Sequence, residues 1–372
     1  WSDRQASNVA AQLYKNNGIQ TFVVGFHTGG NANYEKLAKA GGTWPDSPLY
    51  TNNWQHLYST LSDYIRQAIA SQQTFTAPFI MPGISTDDYL YQSTFNYKKT
   101  HQWEGHLKKY QLKAKDGSIG NLMWDAGEKL NKKSSSSRQI WTVANHVGIS
   151  SGLNNFQTGN LAGLKTLIYE GSGTNPTDAE ATSLINFVRG VDAYDEDADG
   201  NTTDERWKLG DIYHSELTVV GPPTAKTSTE KEDVNKEAYY RAKKSYAGFR
   251  GSNRCGGSCP SRKSVVYAGA NDGMLHAFSA DSGKELFAYL PSELVTSDSG
   301  QASPLESLMQ PDYTHRYFVD GSAVARNVEI DGGPEAVVVG TMGAGGRSVF
   351  ALDVSDPADM KPEDVLWEFS NP

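Results

Sequence analysis

The stretch Asp195-Glu-Asp-Ala-Asp-Gly-Asn-Thr-Thr-Asp-Glu205 carries carboxylates at alternate positions, Asp195, Asp197 and Asp199, followed by Gly200. This spacing suits a hard divalent cation. A tight turn folds alternate side chains inward, and glycine relieves the backbone where it bends most. Left alone, the carboxylates repel one another, so a bound Ca2+ would supply the energy that orders the loop. The expected ligands are the side chains of Asp195, Asp197 and Asp199 and the carbonyl of Asn201, with Thr203 or Asp204 closing the shell. An EF-hand would carry a bidentate Glu at the twelfth position, where this chain has Arg206, so no helix–loop–helix is expected. The bland alternative, a solvated acidic turn, seldom shows such regular spacing.

Other residues invite chemistry with less support. Asp211, His214 and Ser215 lie close in sequence, but no Gly-x-Ser-x-Gly elbow accompanies them, so structural hydrogen bonding is the expected role. His276 alternates with Leu275 and Ala277 and reads as a strand side chain. Trp103 and Tyr239-Tyr240 read as core or edge packing. Asp116-Gly-Ser-Ile-Gly120 reads as a β-turn and is assigned no metal. The two cysteines, Cys255 and Cys259, have three small residues between them, which lets the chain fold back until the sulfurs meet. A disulfide there would imply an oxidising compartment; the alternative is two reduced thiols in an exposed loop. Zinc is not expected, because a structural site needs four ligands and no His or second Cys pair is near.

The elements that must position these residues fall into three stretches. Residues 1–73 read as α/β: a helix capped by Ser2 and running through Tyr14, a buried strand over Ile19–Phe26, a short helix over Tyr34–Ala40 stopped by Gly41-Gly42, and a third helix near 53–71. This order resembles the C-terminal part of a von Willebrand factor A domain, whose metal-binding loop would lie upstream of Trp1. Residues 74–190 read as a β-rich linking domain. Aromatic runs at Tyr89–Phe95, Trp103–Leu112 and Arg138–Val143 are separated by turns such as Lys115-Asp-Gly117. Tyr110 and Leu112 alternate with Lys109, Gln111 and Lys113, as in a half-exposed strand. Lys132–Ser137 reads as a loop, and Ala181, Leu184, Ile185 and Val188 make the apolar face of a helix over Asp178–Arg189. Lys226–Lys236 reads as a mixed-charge helix or linker.

Residues 191–372 carry the acidic loop and then a weak repeat. Val265-Val-Tyr-Ala-Gly269 with Ala277-Phe-Ser279 recurs as Val337-Val-Val-Gly340 with Ala351-Leu-Asp353. Each copy resembles one hairpin of a quinoprotein-type β-propeller blade. Two or three blades cannot close a ring, so the propeller is expected to be incomplete within this chain. The expected fold class is therefore multidomain and mainly β: a partial α/β von Willebrand A-like segment, a β-rich middle and an incomplete β-propeller. The chain opens at Trp1 and stops at Pro372 in mid-pattern, and reads as a processed chain or a fragment.

The ordered motifs Leu184–Gly190, the acidic loop, Arg206–Ser215, Val219–Pro223, Val266–Phe278, Tyr317–Ser322 and Phe350–Pro357 together resemble the PilY/PilC family of type IV pilus tip proteins. The resemblance covers most of the chain. It implies a calcium-regulated, non-enzymatic protein at the pilus tip outside the cell, which contacts minor pilins and acts in pilus assembly, adhesion and twitching motility. Some members carry an Arg-Gly-Asp motif. Here Arg189-Gly190 is followed by Val191 and Arg250-Gly251 by Ser252, so integrin binding is not carried over. The alternative is a quinone-dependent dehydrogenase. Such an enzyme would need a full ring, a buried catalytic Asp, a calcium at the cofactor and, as a rule, adjacent cysteines.

Composition agrees with a secreted β protein. The 372 residues are 38% hydrophobic, with 36 Gly, 15 Pro, 19 Tyr and 8 Trp, which is enough apolar material for buried cores and rich in turns. A net charge of −9 argues against a nucleic-acid or anionic-membrane binder. No apolar run is long enough to span a bilayer.

Overall fold

The computed structural model describes residues 3–17, 21–26, 32–43, 48–53, 56–57, 79–81, 89–113, 119–142, 155–169, 176–252, 262–297, 302–310 and 312–370. The chain forms two compact units, Trp1–Gln73 and Thr74–Pro372.

In the first unit, helix α1 (Asp3–Asn17) precedes strand β1 (Val24–Phe26), helix α2 (Ala32–Ala40) and strand β2 (Leu49–Thr51). β1 and β2 run parallel, with Val24 opposite Leu49 and Phe26 opposite Thr51. Parallel neighbours need a crossover connection, and α2 supplies it. Gly42, at φ 73, follows α2 in the left-handed conformation expected of a helix stop. The strand is shorter than the Ile19–Phe26 run, and most of the helix expected at 53–71 lies outside the described residues.

Among the described residues, the second unit is built on three sheets. The first is an antiparallel sheet in chain order: β3 (Phe79–Met81), β4 (Tyr89–Asn96), β5 (Glu104–Leu112) and β6 (Ile119–Asp125). The expected half-exposed alternation fails at Lys109, which is 7% exposed. Its ammonium donates to the Ala280 carbonyl at 2.9 Å and sits 3.8 Å from the Tyr89 ring centroid. One carbonyl and one aromatic face thus replace the water it gives up, while burial pushes its pKa down. Asp125 then caps helix α3 (Ala126–Asn131), accepting from the Gly127 and Glu128 N–H groups. The serine-rich stretch after it is a loop with a single 3-10 turn at Ser135–Ser137.

Helices α4 (Leu161–Tyr169) and α5 (Asp178–Arg189) follow a two-residue strand, β7 (Ile140–Trp141). α5 has the boundaries that the apolar spacing predicts. Thr177 and Glu180 form a capping box at its start, and Gly190 ends it at φ 113.

The repeat in the last third is two blades. β8 (Thr218–Val220), β9 (Val265–Gly269), β10 (Leu275–Ser279) and β11 (Glu285–Tyr289) form one antiparallel meander, and β7 adds parallel to β11 at its rim. β12 (Val324–Ile330), β13 (Gly333–Thr341), β14 (Val349–Asp353) and β15 (Val365–Phe369) form the second. Every residue of β9 and β10 is buried, so both faces of the first blade are covered. One core joins it to α4, α5 and the second blade, and the other joins it to β4, β5 and α3. Between β8 and β9, the mixed-charge run 226–236 is irregular, with one 3-10 turn at Lys231–Asp233 and a turn after it.

Candidate functional site

The acidic loop leaves the end of α5 and returns on itself. Val191 and Glu205 form an isolated antiparallel bridge, Asp192 N–H donates to the Asp204 carbonyl at 2.9 Å, and Arg206 N–H donates to the Gly190 carbonyl at 2.9 Å. The two hydrogen bonds, which are what make the bridge, close a neck. Above it, each side chain of the motif accepts from main chain a few residues on. Asp195 Oδ1 accepts from Gly200 N–H at 3.0 Å, Asp197 from Asp199 at 3.2 Å, and Asp199 from Asn201 at 2.7 Å. The two i,i+2 bonds are Asx turns, and with the longer Asp195 bond they curl the chain. The curl needs left-handed backbone at Asp195 (φ 55), Ala198 (φ 58) and Gly200 (φ 84), of which only glycine is at ease there.

The result brings Asp195, Asp197 and Asp199 together, with one ligand atom from each within 4.8 Å of the others. Asp195 is half-buried; Asp197 and Asp199 are exposed. Asn201 uses its side-chain oxygen on Thr203, accepting from its N–H at 3.1 Å and its hydroxyl at 2.8 Å. That leaves the Asn201 carbonyl as its contribution to an ion. Asp204 is not part of the cluster of three, yet its Oδ1 is buried without a hydrogen-bond partner. A donor set of three converging carboxylates has the chemistry that Ca2+ asks for: hard, anionic oxygen. Past Arg206 the chain is extended, and no helix follows the loop. Cys255 and Cys259 lie outside the described residues.

Sequence reasoning missed the loop's supports. Arg206, noticed only as the wrong residue at position twelve, clamps Glu196 from two nitrogens at 2.7 and 3.0 Å. It also donates to Gln102 Oε1 at 2.9 Å and lies 4.1 Å from the Phe187 ring centroid. Asp192, 3% exposed, receives the Glu196 N–H on both oxygens at 2.8 and 3.0 Å. Burial pushes its carboxyl above the usual range, against the lowering effect of the Glu196 and Asp197 N–H groups. Gly190 sits at the neck, and a Cβ there would lie 2.5 Å from Cγ of Lys208, itself 2% exposed. Gly190→Ala should therefore lower the unfolding free energy by about 1–3 kcal/mol through left-handed strain and this clash. A urea midpoint equal to that of the unaltered protein would contradict it.

The neck is bolted to the first blade by buried charge. The Arg138 guanidinium, with no exposed side-chain surface, pairs with Glu285 of β11 at 2.9 and 3.1 Å and donates to the Arg189 carbonyl at 3.0 Å. Arg189 in turn donates to the carbonyls of Phe156 at 2.6 Å and of Ser135 and Arg138 at 2.8 Å. On the other side of Glu285, His276 Nδ1 lies 3.1 Å from Oε1, and its Nε2 lies 2.9 Å from Asp272 Oδ2. A neutral imidazole can donate from only one nitrogen. Burial alone would lower the His276 pKa, but the Asp272 and Glu285 carboxylates outweigh it and hold the ring cationic, pushed up to about 9. Asp272 also receives the Gly210 N–H at 2.7 Å. Gly210 meets Gly105 so closely that a Cβ on Gly105 would lie 1.9 Å from the Gly210 oxygen.

The residues that invite hydrolysis do not assemble. Asp211 accepts from Asn271 at 2.8 Å and pairs with His315 at 2.9 Å. His214 pairs with Asp320 at 2.5 Å, and Ser215 Oγ receives the Gly269 N–H at 2.9 Å. All of these contacts tie the segment after the loop to the first blade and to the stretch that leads into the second. Trp103 stacks on His315 at 3.9 Å and on Phe95 at 5.0 Å, which is packing.

Residues 209–371 match the family model described as the PilY1 beta-propeller domain. A Pseudomonas aeruginosa protein named type IV pilus biogenesis factor PilY1 is 28% identical over 372 residues, covering 91% of this chain and 30% of the relative. A Xylella fastidiosa protein named as its homolog is 30% identical over 346 residues, covering 83% of this chain and 22% of the relative. The chain thus spans less than a third of the length of these relatives. Among solved structures, the C-terminal domain of Pseudomonas aeruginosa PilY1 is 32% identical, covering 41% of this chain and 25% of that one, at a TM-score of 0.27. A quinohemoprotein alcohol dehydrogenase from Comamonas testosteroni is 11% identical, covering 81% of this chain and 29% of that one, at a TM-score of 0.29. Superpositions this partial carry no weight for function. Residues 209–371 thus carry a propeller of the PilY1 family, and the chain is similar along most of its length to relatives named for type IV pilus biogenesis.

Proposed function

We propose that this chain is the calcium-holding base of a type IV pilus biogenesis factor. The observation that carries the reading is the clustered triad Asp195, Asp197 and Asp199, on a neck bolted through Arg138 and Glu285 to the first blade, in a chain whose relatives are named for pilus biogenesis. One Ca2+ bound there draws the carboxylates together and stiffens the neck, and the buried charges pass that order to the blade. The protein works outside the cell at the pilus tip, without catalysis, as an assembly factor and adhesin that docks on minor pilins. Residues 1–73 then belong to a von Willebrand A-like domain, in keeping with the parallel β1–β2 unit. Among the described residues, no helix is long and apolar enough to cross a membrane. A quinone-dependent dehydrogenase would want a buried carboxylate beside its cation, whereas two of the three clustered aspartates are exposed and buried Asp272 is occupied by Gly210, Met274 and His276.

The test is genetic. A strain lacking the gene is complemented with the full-length protein, either unaltered or carrying Asp197→Ala and Asp199→Ala, and surface pilin is measured after shearing. The deletion should lose surface pili, the unaltered gene should restore them, and the loop variant should restore protein but not normal pilus levels or attachment. Undiminished pili and attachment in the deletion strain would count against the reading.

A further inference from the structure

Beside the acidic loop lies a cleft of about 220 Å³ between the β4–β5 turn and the loop's inner side. Five carboxylates line it: Glu104, Asp192, Glu196, Asp197 and Glu205. Against them stand two cations, Lys98 and Arg206. Acidic walls alone would say little, since most of these carboxylates are already engaged with their neighbours. The informative residue is Gln102. It is 8% exposed and lines the cleft, and its Nε2 is buried without a hydrogen-bond partner. Its orientation is not arbitrary: Oε1 accepts from Arg206 Nη2 at 2.9 Å, and turning the amide over would set NH2 against a guanidinium. The lower wall of a negatively charged cleft thus carries one neutral donor that lacks an acceptor, a deficit that buried polar groups rarely sustain.

We propose that this cleft docks a single basic side chain, lysine or arginine, presented by a partner protein, with a main-chain carbonyl of the partner accepting from Gln102. Charge complementarity selects the occupant. The excess of carboxylates repels an anionic ligand, and the Gln102 NH2 would stay without an acceptor beside a bare metal ion, but a basic residue brings a cation and an acceptor together. Size agrees, because pockets for drug-sized molecules run to about 300–1,000 Å³, and this one is smaller. Docking of this kind gives specificity and orientation more than raw affinity. A single residue offers weak binding, which becomes useful when the partner is held nearby by other contacts. Asp197 also belongs to the proposed calcium cluster, so with calcium bound the cleft's acidity rests on Glu104, Asp192, Glu196 and Glu205, still more than its two cations.

The experiment uses the full chain in saturating calcium and a pair of acetylated, amidated glycine pentapeptides, one with lysine at the centre and one with norleucine. Side-chain amide resonances are followed by NMR. The Gln102 NH2 signals should move saturably with the lysine peptide at millimolar concentration and stay still with the norleucine peptide. Gln102→Met and Glu104→Gln should each weaken the lysine peptide at least about threefold, and added salt should weaken it further. The second variant keeps the proposal testable if the first fails to fold. Equal response to the two peptides, no saturable shift at all, or unchanged affinity in every folded variant would overturn it.

Discussion

Glu285→Ala should destabilise the second unit by about 3–5 kcal/mol, because it strands two buried cations at once. Arg138 and His276 both face this carboxylate, and neither has exposed side-chain surface. Removing one partner of such a set leaves charge in a medium that cannot solvate it, which costs far more than the intact pair contributes. For a unit of this size the melting temperature should fall by roughly 10 °C, read by calorimetry. Exchanging Glu285 and Arg138 together for leucine and methionine should recover much of the loss, since a buried pair replaced by apolar groups is close to neutral. A single variant within about 1 kcal/mol of the unaltered protein would contradict the network.

The same network sets a pH dependence with a definite sign. The His276 pKa is raised in the folded state to about 9 from its ordinary value of 6.5. Its contribution is therefore fully present below about pH 6.5 and is lost as pH rises through about 9, by up to about 3 kcal/mol. For Glu285, burial alone would raise the pKa, but Arg138 and His276 together hold the carboxyl well below its ordinary value of 4.5. Its contribution is present above that value and disappears in acid. Stability should thus be greatest between these limits, and His276→Gln should flatten the alkaline slope. A slope that survives this substitution would assign the effect elsewhere.

Calcium should produce the second large effect, and its signature is a crossing. Without the ion, Asp195, Asp197 and Asp199 repel one another on a strained loop; with it, the repulsion becomes attraction. At a free concentration about a hundredfold above Kd, binding adds about 2.7 kcal/mol to folding stability. Chelation should remove that increment from the unaltered protein. In the variant carrying Asp197→Asn and Asp199→Asn, calcium should change little, and the chelated variant should melt at or above the chelated parent. An ordinary loss of structure would lower the variant under both conditions, so the crossing separates the two explanations.

How far the molecule could be read in advance depended on how local each signal was. The clustering of the acidic loop was legible because its aspartates lie within ten residues and its turns are made by the same side chains. Helix α5 was legible because cap, apolar face and glycine stop all lie in one stretch, and the two blades announced themselves by repetition. The supports were not legible, since each joins distant segments: Arg138 meets Glu285 across 147 positions and Arg206 meets Gln102 across 104. His276 was correctly a strand residue, yet nothing around it revealed that carboxylates would face both ring nitrogens. Lys109 broke its alternation because Ala280, 171 residues on, supplied the carbonyl that made burial tolerable.

Crystals of the protein grown with calcium, with data collected to detect its anomalous scattering, address the loop most directly. The account predicts one peak between Asp195, Asp197 and Asp199, at about 2.3–2.6 Å from their oxygens and from the Asn201 carbonyl. The peak should be absent from crystals grown with chelator. A well-ordered loop with no peak at saturating calcium, or an ion held only elsewhere in the chain, would contradict it.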